Sequence, residues 1–272
     1  MNAKTICVAV LATLLLAPGV HAHKRWFEPS KTVLNVGQWV TVDAASSTDP
    51  FIRDHNALPL DNLVVTGPDG NAVTPVNLFK GRLRSSFDLE LVQAGTYRIA
   101  WVNEGITAVW EENGQRRVWP PRGTPFTPEG FGREVPANAD KLRVIQMLGR
   151  LETFVTAGKP NDIALKPVGR GLELQPITGF NDLYVGEPAT FRLLLDGKPA
   201  VDLEVVVIAD GIRYRNSVDE IRAKTDEHGR FTLDWPKPGF YWLSATVTDD
   251  RGTPPATERR VNYAAVVEVL TP

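Results

Sequence analysis

The amino-acid sequence predicts an all-β fold of two antiparallel immunoglobulin-like β-sandwich domains, with a long proline-rich loop and at most one short helix. Two observations indicate this fold class. Apolar and polar residues alternate with a period of two over short runs, as in residues 39–44 and 87–91. Turn-forming pairs, such as Asn-Gly at 113–114 and Asp-Gly at 196–197, separate these runs at short intervals, as antiparallel hairpins require.

Residues 1–22 have the pattern of a cleavable signal peptide. Lys4 precedes an apolar run over residues 6–17, and small residues stand at positions 20 and 22, where a signal peptidase reads the chain. The apolar run is too short to span a bilayer. Cleavage after Ala22 would leave a periplasmic protein that begins at His23 and does not itself span the membrane.

The remaining chain is expected to form an N-terminal sandwich over residues 23–158, a linker over 159–168 and a C-terminal immunoglobulin-like sandwich over 169–272. An internal repeat supports two domains of similar topology. Val-Gly-Gln at 36–38 is matched by Val-Gly-Glu at 185–187, each before a strand. Tyr97 and Tyr241 also follow equivalent turns, where an immunoglobulin-like fold can place a corner tyrosine whose hydroxyl bonds to the backbone.

The middle of the first domain contains a hairpin and then an irregular segment. Residues 110–119 predict a hairpin closed by Asn113 and Gly114. Four prolines within residues 119–132 cannot donate to a β-ladder, so this segment is expected to be a long loop. A short helix is expected to begin within Pro136 to Lys141, because proline is tolerated in a first helical turn.

Composition narrows the functional classes. A formal net charge of −2 is too near neutral to favour a nucleic acid or an anionic membrane as partner. The only cysteine, Cys7, lies in the predicted leader, so the mature protein has no disulfide, thiol catalysis or thiolate metal site. The sequence also lacks G-x-S-x-G, H-E-x-x-H and phosphate-cradling glycine motifs.

The histidines provide a candidate site for a divalent transition metal. The α-amine and imidazole of an N-terminal His23 can close one chelate ring around a metal. The loop that carries His55 follows the first long strand and is expected to return toward His23. We therefore predict a Ni(II) or Cu(II) site at His23 and His55, with Asp54 or Glu28 as a further ligand, similar to the histidine brace of copper proteins.

These residues also have ordinary structural interpretations. A terminal histidine can fray, and His55 can be an unrelated loop residue. His228 lies in a turn that explains it without a ligand role. Five aromatic residues lie near the proline-rich loop: Trp101, Trp110, Trp119, Phe126 and Phe131. They could form a stacking platform for a sugar or for a planar chelate. Packing in the core beneath the loop is the favoured interpretation.

Several segments, taken in order, resemble an exported bacterial family of unknown function that is often labelled a NikM-like nickel-uptake component. These segments are His23 with Trp26, residues 29–30, 38–44, 152–158, 171–174, 181–200, 238–243 and 258–260. The resemblance implies a periplasmic β-rich protein associated with metal acquisition. A histidine directly after the leader recurs in the family, and His55 lies where the family often has Asp-His.

The sequence therefore predicts a non-enzymatic accessory protein of transition-metal uptake or handling. It would bind a metal ion or metal chelate near His23 and His55 and pass it to an inner-membrane uptake or reductase partner. Two alternatives remain open. One is a brace-type copper oxidase, and the other is a metal-independent immunoglobulin-like adaptor or carbohydrate-binding module.

Overall fold

The computed structural model of the chain describes residues 23–121 and 123–272, and these residues form three β-sheets with very little helix. The predicted all-β fold class, with at most one short helix, is therefore confirmed. The predicted signal peptide, residues 1–22, lies outside the described residues.

Residues 23–121 and 123–158 contain ten strands and one α-helix. Their bounds are β1 Lys24–Pro29, β2 Val33–Leu34, β3 Trp39–Ser47, β4 Asn56–Ala57, β5 Leu63–Thr66, β6 Val76–Lys80, β7 Ser85–Glu90, β8 Gly95–Glu112, β9 Gln115–Trp119, α1 Pro128–Glu134 and β10 Asp140–Ala157.

The second part contains eight strands and one short 3-10 turn, Ile212–Tyr214. The strand bounds are β11 Leu172–Pro176, β12 Ala189–Leu195, β13 Lys198–Pro199, β14 Glu204–Ala209, β15 Ile221–Lys224, β16 Arg230–Leu233, β17 Gly239–Asp249 and β18 Glu258–Val269. The segment 159–168 contains neither strand nor helix.

One long sheet joins the two halves of the chain. Its strand order is β15-β14-β17-β18-β10-β8-β5, with β2 pairing with β10 and β9 pairing with β8. Strand β10 connects the halves because it pairs antiparallel with β8 on one side and parallel with β18 on the other. A five-stranded sheet (β1-β3-β7-β6, with β4 on β3) and a four-stranded sheet (β11-β12-β13, with β16 on β12) complete the fold.

Each smaller sheet packs against its own part of the long sheet and encloses a hydrophobic core. The N-terminal core joins Val42 and Phe87 of the five-stranded sheet to Ile99 of β8. The C-terminal core joins Phe191 of the four-stranded sheet to Leu243 of β17. The inward-facing residues alternate along the strands, which is why the period-two pattern was visible in the sequence.

The two predicted corner tyrosines both bond to the backbone. The Tyr97 hydroxyl accepts a hydrogen bond from the Gln93 amide at 2.9 Å and donates to the Gln93 carbonyl at 3.1 Å. The Tyr241 hydroxyl donates to the Lys237 carbonyl at 2.7 Å. Each tyrosine thus binds the backbone four residues upstream of itself, once in each half.

The hairpin at residues 110–119 is confirmed, but the helix lies elsewhere than predicted. Asn113 and Gly114 adopt φ values of 53° and 73°, as the tight turn between β8 and β9 requires. The prediction of a helix from Pro136 was wrong. Helix α1 instead begins at Pro128 because the Thr127 side chain caps it by accepting from the Gly130 amide, and Pro128 lacks only an amide that the first turn leaves unbonded.

The aromatic residues of the proline-rich segment pack together beneath it. The Trp119 ring lies 5.6 Å from that of Phe126 and 6.0 Å from that of Phe131, between centroids. Trp110 belongs to the same buried cluster. Trp101 lies apart from them in the N-terminal core. The favoured interpretation of these rings as core packing is confirmed, and they form no exposed platform.

Candidate metal site

Strand β3 brings His23 and His55 to the same end of the five-stranded sheet. At Ser46 it pairs with Arg25 of β1 on one edge and with Asn56 of β4 on the other. Both partner strands run antiparallel to β3, so both begin at the same end of the sheet. Each histidine stands immediately before one of these strands, which places the two side chains on either side of the end of β3.

The two imidazole rings are in contact. Their centroids are 4.0 Å apart and their planes are inclined by 32°. Both residues are exposed to solvent. The predicted return of the loop toward His23 is therefore what the structure shows, and the two rings form an exposed pair of nitrogen donors.

The strand that follows His23 is firmly anchored. Trp26 is fully buried and packs with Trp242 and Ile208 of the C-terminal half. The Trp242 indole also donates to the Arg25 carbonyl at 2.8 Å. His23 thus lies three residues before a buried tryptophan, and the packing of that tryptophan fixes the position of the backbone at the start of β1.

The loop that carries His55 is tied to the sheet at both of its ends. Lys24 donates to the Thr48 carbonyl at 3.0 Å and pairs with the Asp49 carboxylate at 3.3 Å. At the other end, the Ser47 hydroxyl donates to the Asp54 carboxylate. Asp54 is therefore held beside His55, with one carboxylate oxygen bound by Ser47.

The structure does not bring Glu28 to the histidine pair. Glu28 lies five residues along β1 from His23, a distance of about 17 Å at the usual strand rise. Its carboxylate binds the Arg53 guanidinium at 2.5 Å, and that guanidinium also contacts Asp43 at 3.2 Å. Burial raises the pKa of the Glu28 carboxyl above its ordinary value, and Arg53 opposes that shift. Glu28 thus belongs to an ion-pair cluster on the sheet face.

The two imidazole rings can offer one side-chain nitrogen each to a metal ion. Within residues 23–121 and 123–272, no three His, Asp or Glu side chains are placed so that they could hold one metal ion together. Two imidazoles alone are a weak site, so a firm site needs a further donor. The α-amine that His23 would gain by cleavage after Ala22 is such a donor.

His228 lies where the turn interpretation expects it. Its amide and that of Arg230 donate to the Asp226 carboxylate at 2.8 Å and 2.7 Å, and the imidazole is exposed. The turn between β15 and β16 explains this residue fully. His228 is therefore a surface histidine with a structural role in a turn, and it provides a control for the other two histidines.

The loop that carries His55 also forms one wall of a cleft of about 640 Å³. The opposite wall is the segment 210–214 of the C-terminal half. Phe51 in this loop adopts φ 65°, an uncommon conformation for an aromatic residue, and packs on Trp26. Arg53 and residues 210–214 were not predicted as site residues, and the sequence there offers only an Arg-Tyr pair shortly after Gly211 as a local signal.

The comparisons with known proteins give a family and distant structural likenesses. No curated protein matches the chain. The D0-D1 domain of intimin is 15% identical, covering 90% of this chain and 97% of that one, with a TM-score of 0.22. A DUF4785 family protein from Legionella pneumophila is 11% identical, covering 80% of this chain, which spans half of that protein; the TM-score is 0.24.

A third solved structure, the Escherichia coli adhesin FdeC, is 15% identical, with 91% of this chain and 63% of that chain covered and a TM-score of 0.24. TM-scores at this level carry no argument about function. Among the described residues, no helix has the length and apolar character to cross a membrane. The model for a domain of unknown function, DUF4198, matches residues 20–249, so the chain belongs to the DUF4198 family.

Proposed function

We propose that this protein is exported to the periplasm and binds a divalent transition metal, Ni(II) or Cu(II), at its mature N-terminus. The ligands are the α-amine and imidazole of His23 and the imidazole of His55. The contact of the two rings, with centroids 4.0 Å apart, is the observation that carries the proposal. The protein acts as a carrier, not as an enzyme, and passes the metal or its chelate to an inner-membrane uptake or reductase partner.

The ring separation suits two ligands on one metal. Metal–nitrogen bonds are about 2 Å long, so two imidazoles at right angles on one ion hold their centroids about 4.5 Å apart. A small rotation of exposed side chains is enough to reach that distance from 4.0 Å. With the amine, the site offers three nitrogens, which suits the tetragonal geometries of Cu(II) and Ni(II).

Of the two neighbouring carboxylates, only Asp54 is available to the proposed site. One carboxylate oxygen of Asp54 accepts from the Ser47 hydroxyl and the other accepts no hydrogen bond from the described residues, so Asp54 is a candidate for a fourth position. Glu28 is left out because Arg53 holds its carboxylate. The resemblance to NikM-like proteins supports nickel over copper as the natural metal.

Calorimetric titration with Ni(II), Cu(II) and Co(II) tests the proposal. The protein must begin at His23, and a form that retains Ala22 serves as the control for the amine. We expect His23→Ala, His55→Ala and the Ala22 form each to weaken binding at least tenfold. His228→Ala is the matched control and should bind as the wild type does. Equal binding by the wild type, His23→Ala and His55→Ala would overturn the site.

A metal-independent adaptor is the second candidate, because the outer face of the five-stranded sheet exposes large apolar side chains. Trp39 is 52% exposed and Phe79 62% exposed. Register places Trp39 opposite Glu90 and Phe79 opposite Ser86, and all four point away from the core. A partner seated there would be lost with Trp39→Ser and Phe79→Ser and kept with His23→Ala; the metal proposal expects the reverse.

A further inference from the structure

The cleft beside the histidine pair is not explained by the proposed metal site. It lies where the loop 51–54 of the N-terminal half faces the segment 210–214 of the C-terminal half. Its volume of about 640 Å³ falls within the usual range of small-molecule sites, roughly 300–1,000 Å³. Both halves of the chain contribute to it, as is common for ligand sites between sandwiches or domains.

The cleft contains opposite charges that are not used by the protein itself. Arg213 is exposed, and no carboxylate of the described residues lies within ion-pair distance of its guanidinium. The Asp210 carboxylate, three residues earlier, likewise has no cation at ion-pair distance among the described residues. The two do not pair with each other. The other charged groups that line the cleft have partners within the protein: Arg53 pairs with Glu28 and Asp43, and the Ser47 hydroxyl donates to Asp54.

The Asp210 carboxylate lies against the backbone of Gly239, where a Cβ atom would lie 2.8 Å from Oδ1. Its own carbonyl accepts from the Arg215 guanidinium at 2.6 Å, and this guanidinium also binds the carbonyls of Ala209 and Val218. Arg215 thus fixes the backbone of the turn that carries Asp210 and Arg213.

Apolar and aromatic side chains line the cleft beside the carboxylates of Glu28 and Asp54. Phe51 and Ile52 line one side, and Ile212 lies on the other. Tyr214 projects from the same turn as Arg213 and is 87% exposed. An exposed tyrosine beside an unpaired arginine gives a large contact area at a low entropy cost and one charge for orientation.

We propose that this cleft binds a zwitterion of the amino-acid or dipeptide class. The ligand carboxylate pairs with Arg213, its ammonium group pairs with Asp210, and its side chain lies against Phe51 and Tyr214. A ligand with both charges satisfies both unpaired groups, whereas a simple anion or cation leaves one of them without a partner. The inference does not depend on metal at His23 and His55.

Isothermal titration of the mature protein in a metal-free buffer with L-phenylalanine and L-leucyl-L-phenylalanine tests this inference. Two single-charge analogues are the controls: 3-phenylpropionate, which lacks the amine, and phenethylamine, which lacks the carboxylate. We expect at least one zwitterion to bind, and each analogue to bind at least tenfold more weakly. Absence of zwitterion binding up to 10 mM, roughly the weak limit of a specific site, would overturn the inference, as would equal binding of 3-phenylpropionate.

Variants of the exposed turn keep the test specific. Arg213→Ala and Tyr214→Ala change exposed side chains, so both proteins should fold, which circular dichroism checks. We expect Arg213→Ala to weaken zwitterion binding about tenfold or more. Arg116→Ala, an exposed arginine on hairpin strand β9, is the matched control and should bind normally. Unchanged binding by Arg213→Ala would refute the assigned carboxylate contact.

Titrations with and without Ni(II) distinguish this inference from the proposed function. The His23→Ala/His55→Ala double variant should bind the zwitterion as the wild type does in metal-free buffer. If the zwitterion binds only when Ni(II) is present and that binding is lost in the double variant, the ligand sits on the metal and the cleft inference is wrong. If metal binding fails but metal-free zwitterion binding remains, only the metal proposal falls.

Discussion

Replacing Glu152 by glutamine should destabilise the joint between the two halves of the molecule. Glu152 is buried on β10, the strand that the halves share. Its carboxylate accepts from the Tyr263 hydroxyl of β18 at 2.7 Å and from Arg150 at 3.1 Å, and Arg98 of β8 lies 3.9 Å away. The Gln variant keeps the shape but leaves two largely buried guanidinium groups without their counter-charge.

The magnitude follows from the burial of these groups. The Arg150 and Arg98 side chains are only 12% and 13% exposed. Removing one partner from a buried ion pair costs about 3–5 kcal/mol. Because Gln can still accept one hydrogen bond, we expect a loss of about 3 kcal/mol in the free energy of unfolding. For a chain of this length, that loss lowers the melting temperature by roughly 6–12 °C.

Urea unfolding followed by tryptophan fluorescence and by circular dichroism measures the effect. Glu258→Gln is the matched control: it breaks the bidentate pair with Arg143, whose side chain is 59% exposed, and should cost less than about 1 kcal/mol. If Glu152→Gln costs no more than Glu258→Gln, the buried network does not stabilise the joint and the reasoning is refuted.

Three further predictions concern single side chains. Burial raises the pKa of the Tyr263 hydroxyl well above its ordinary value, so the stability that this group contributes is complete below about pH 10 and is lost at higher pH. The Tyr263→Phe variant should therefore show a smaller fall in the free energy of unfolding between pH 9 and 11 than the wild type. An unchanged slope would contradict this. Gly239 has φ 128° and contacts Asp210, so Gly239→Ala should cost about 2 kcal/mol or more, measured by urea unfolding. Thr127→Ala removes the cap on Gly130 and should cost about 1 kcal/mol, visible as faster proteolysis of residues 120–135; equal digestion rates would argue against the cap.

The fold class could be predicted because its signals are local. Alternation of apolar and polar residues follows from strand geometry, and the turn at Asn113 and Gly114 needs two positive φ angles. The corner tyrosines, Tyr97 and Tyr241, were visible because each bonds to a residue only four positions away. These features depend on neighbours in the sequence.

The shared sheet could not be predicted in this way. Strand β10 pairs in parallel with β18, between Gln146 and Arg259 for example, and nothing in either segment specifies a partner more than a hundred residues away. The helix was misplaced because a proline in the first turn fits both Pro128 and Pro136. The choice is made by the side chain of Thr127, which caps the first of these starts.

One part of the candidate site, the proximity of His23 and His55, could be predicted from the sequence. His55 follows a strand whose start lies near the chain terminus, so proximity to His23 could be inferred from the order of elements, and the rings do meet. Glu28 was predicted as a further ligand, but it lies away from the histidine pair. A strand separates residues by about 3.3 Å each, and Arg53 holds the Glu28 carboxylate. The cleft was missed because Arg213 and Tyr214 meet the loop only through tertiary packing.

The proposed function requires that nitrogens of His23 and His55 bind one metal ion. Electron paramagnetic resonance of protein that begins at His23, loaded with one equivalent of Cu(II), tests it most directly, because coupling to ligand nitrogens reports how many are bound. We predict three nitrogen donors in the wild type, two in His55→Ala, and an unchanged spectrum in His228→Ala. A wild-type spectrum identical to that of His55→Ala would contradict it.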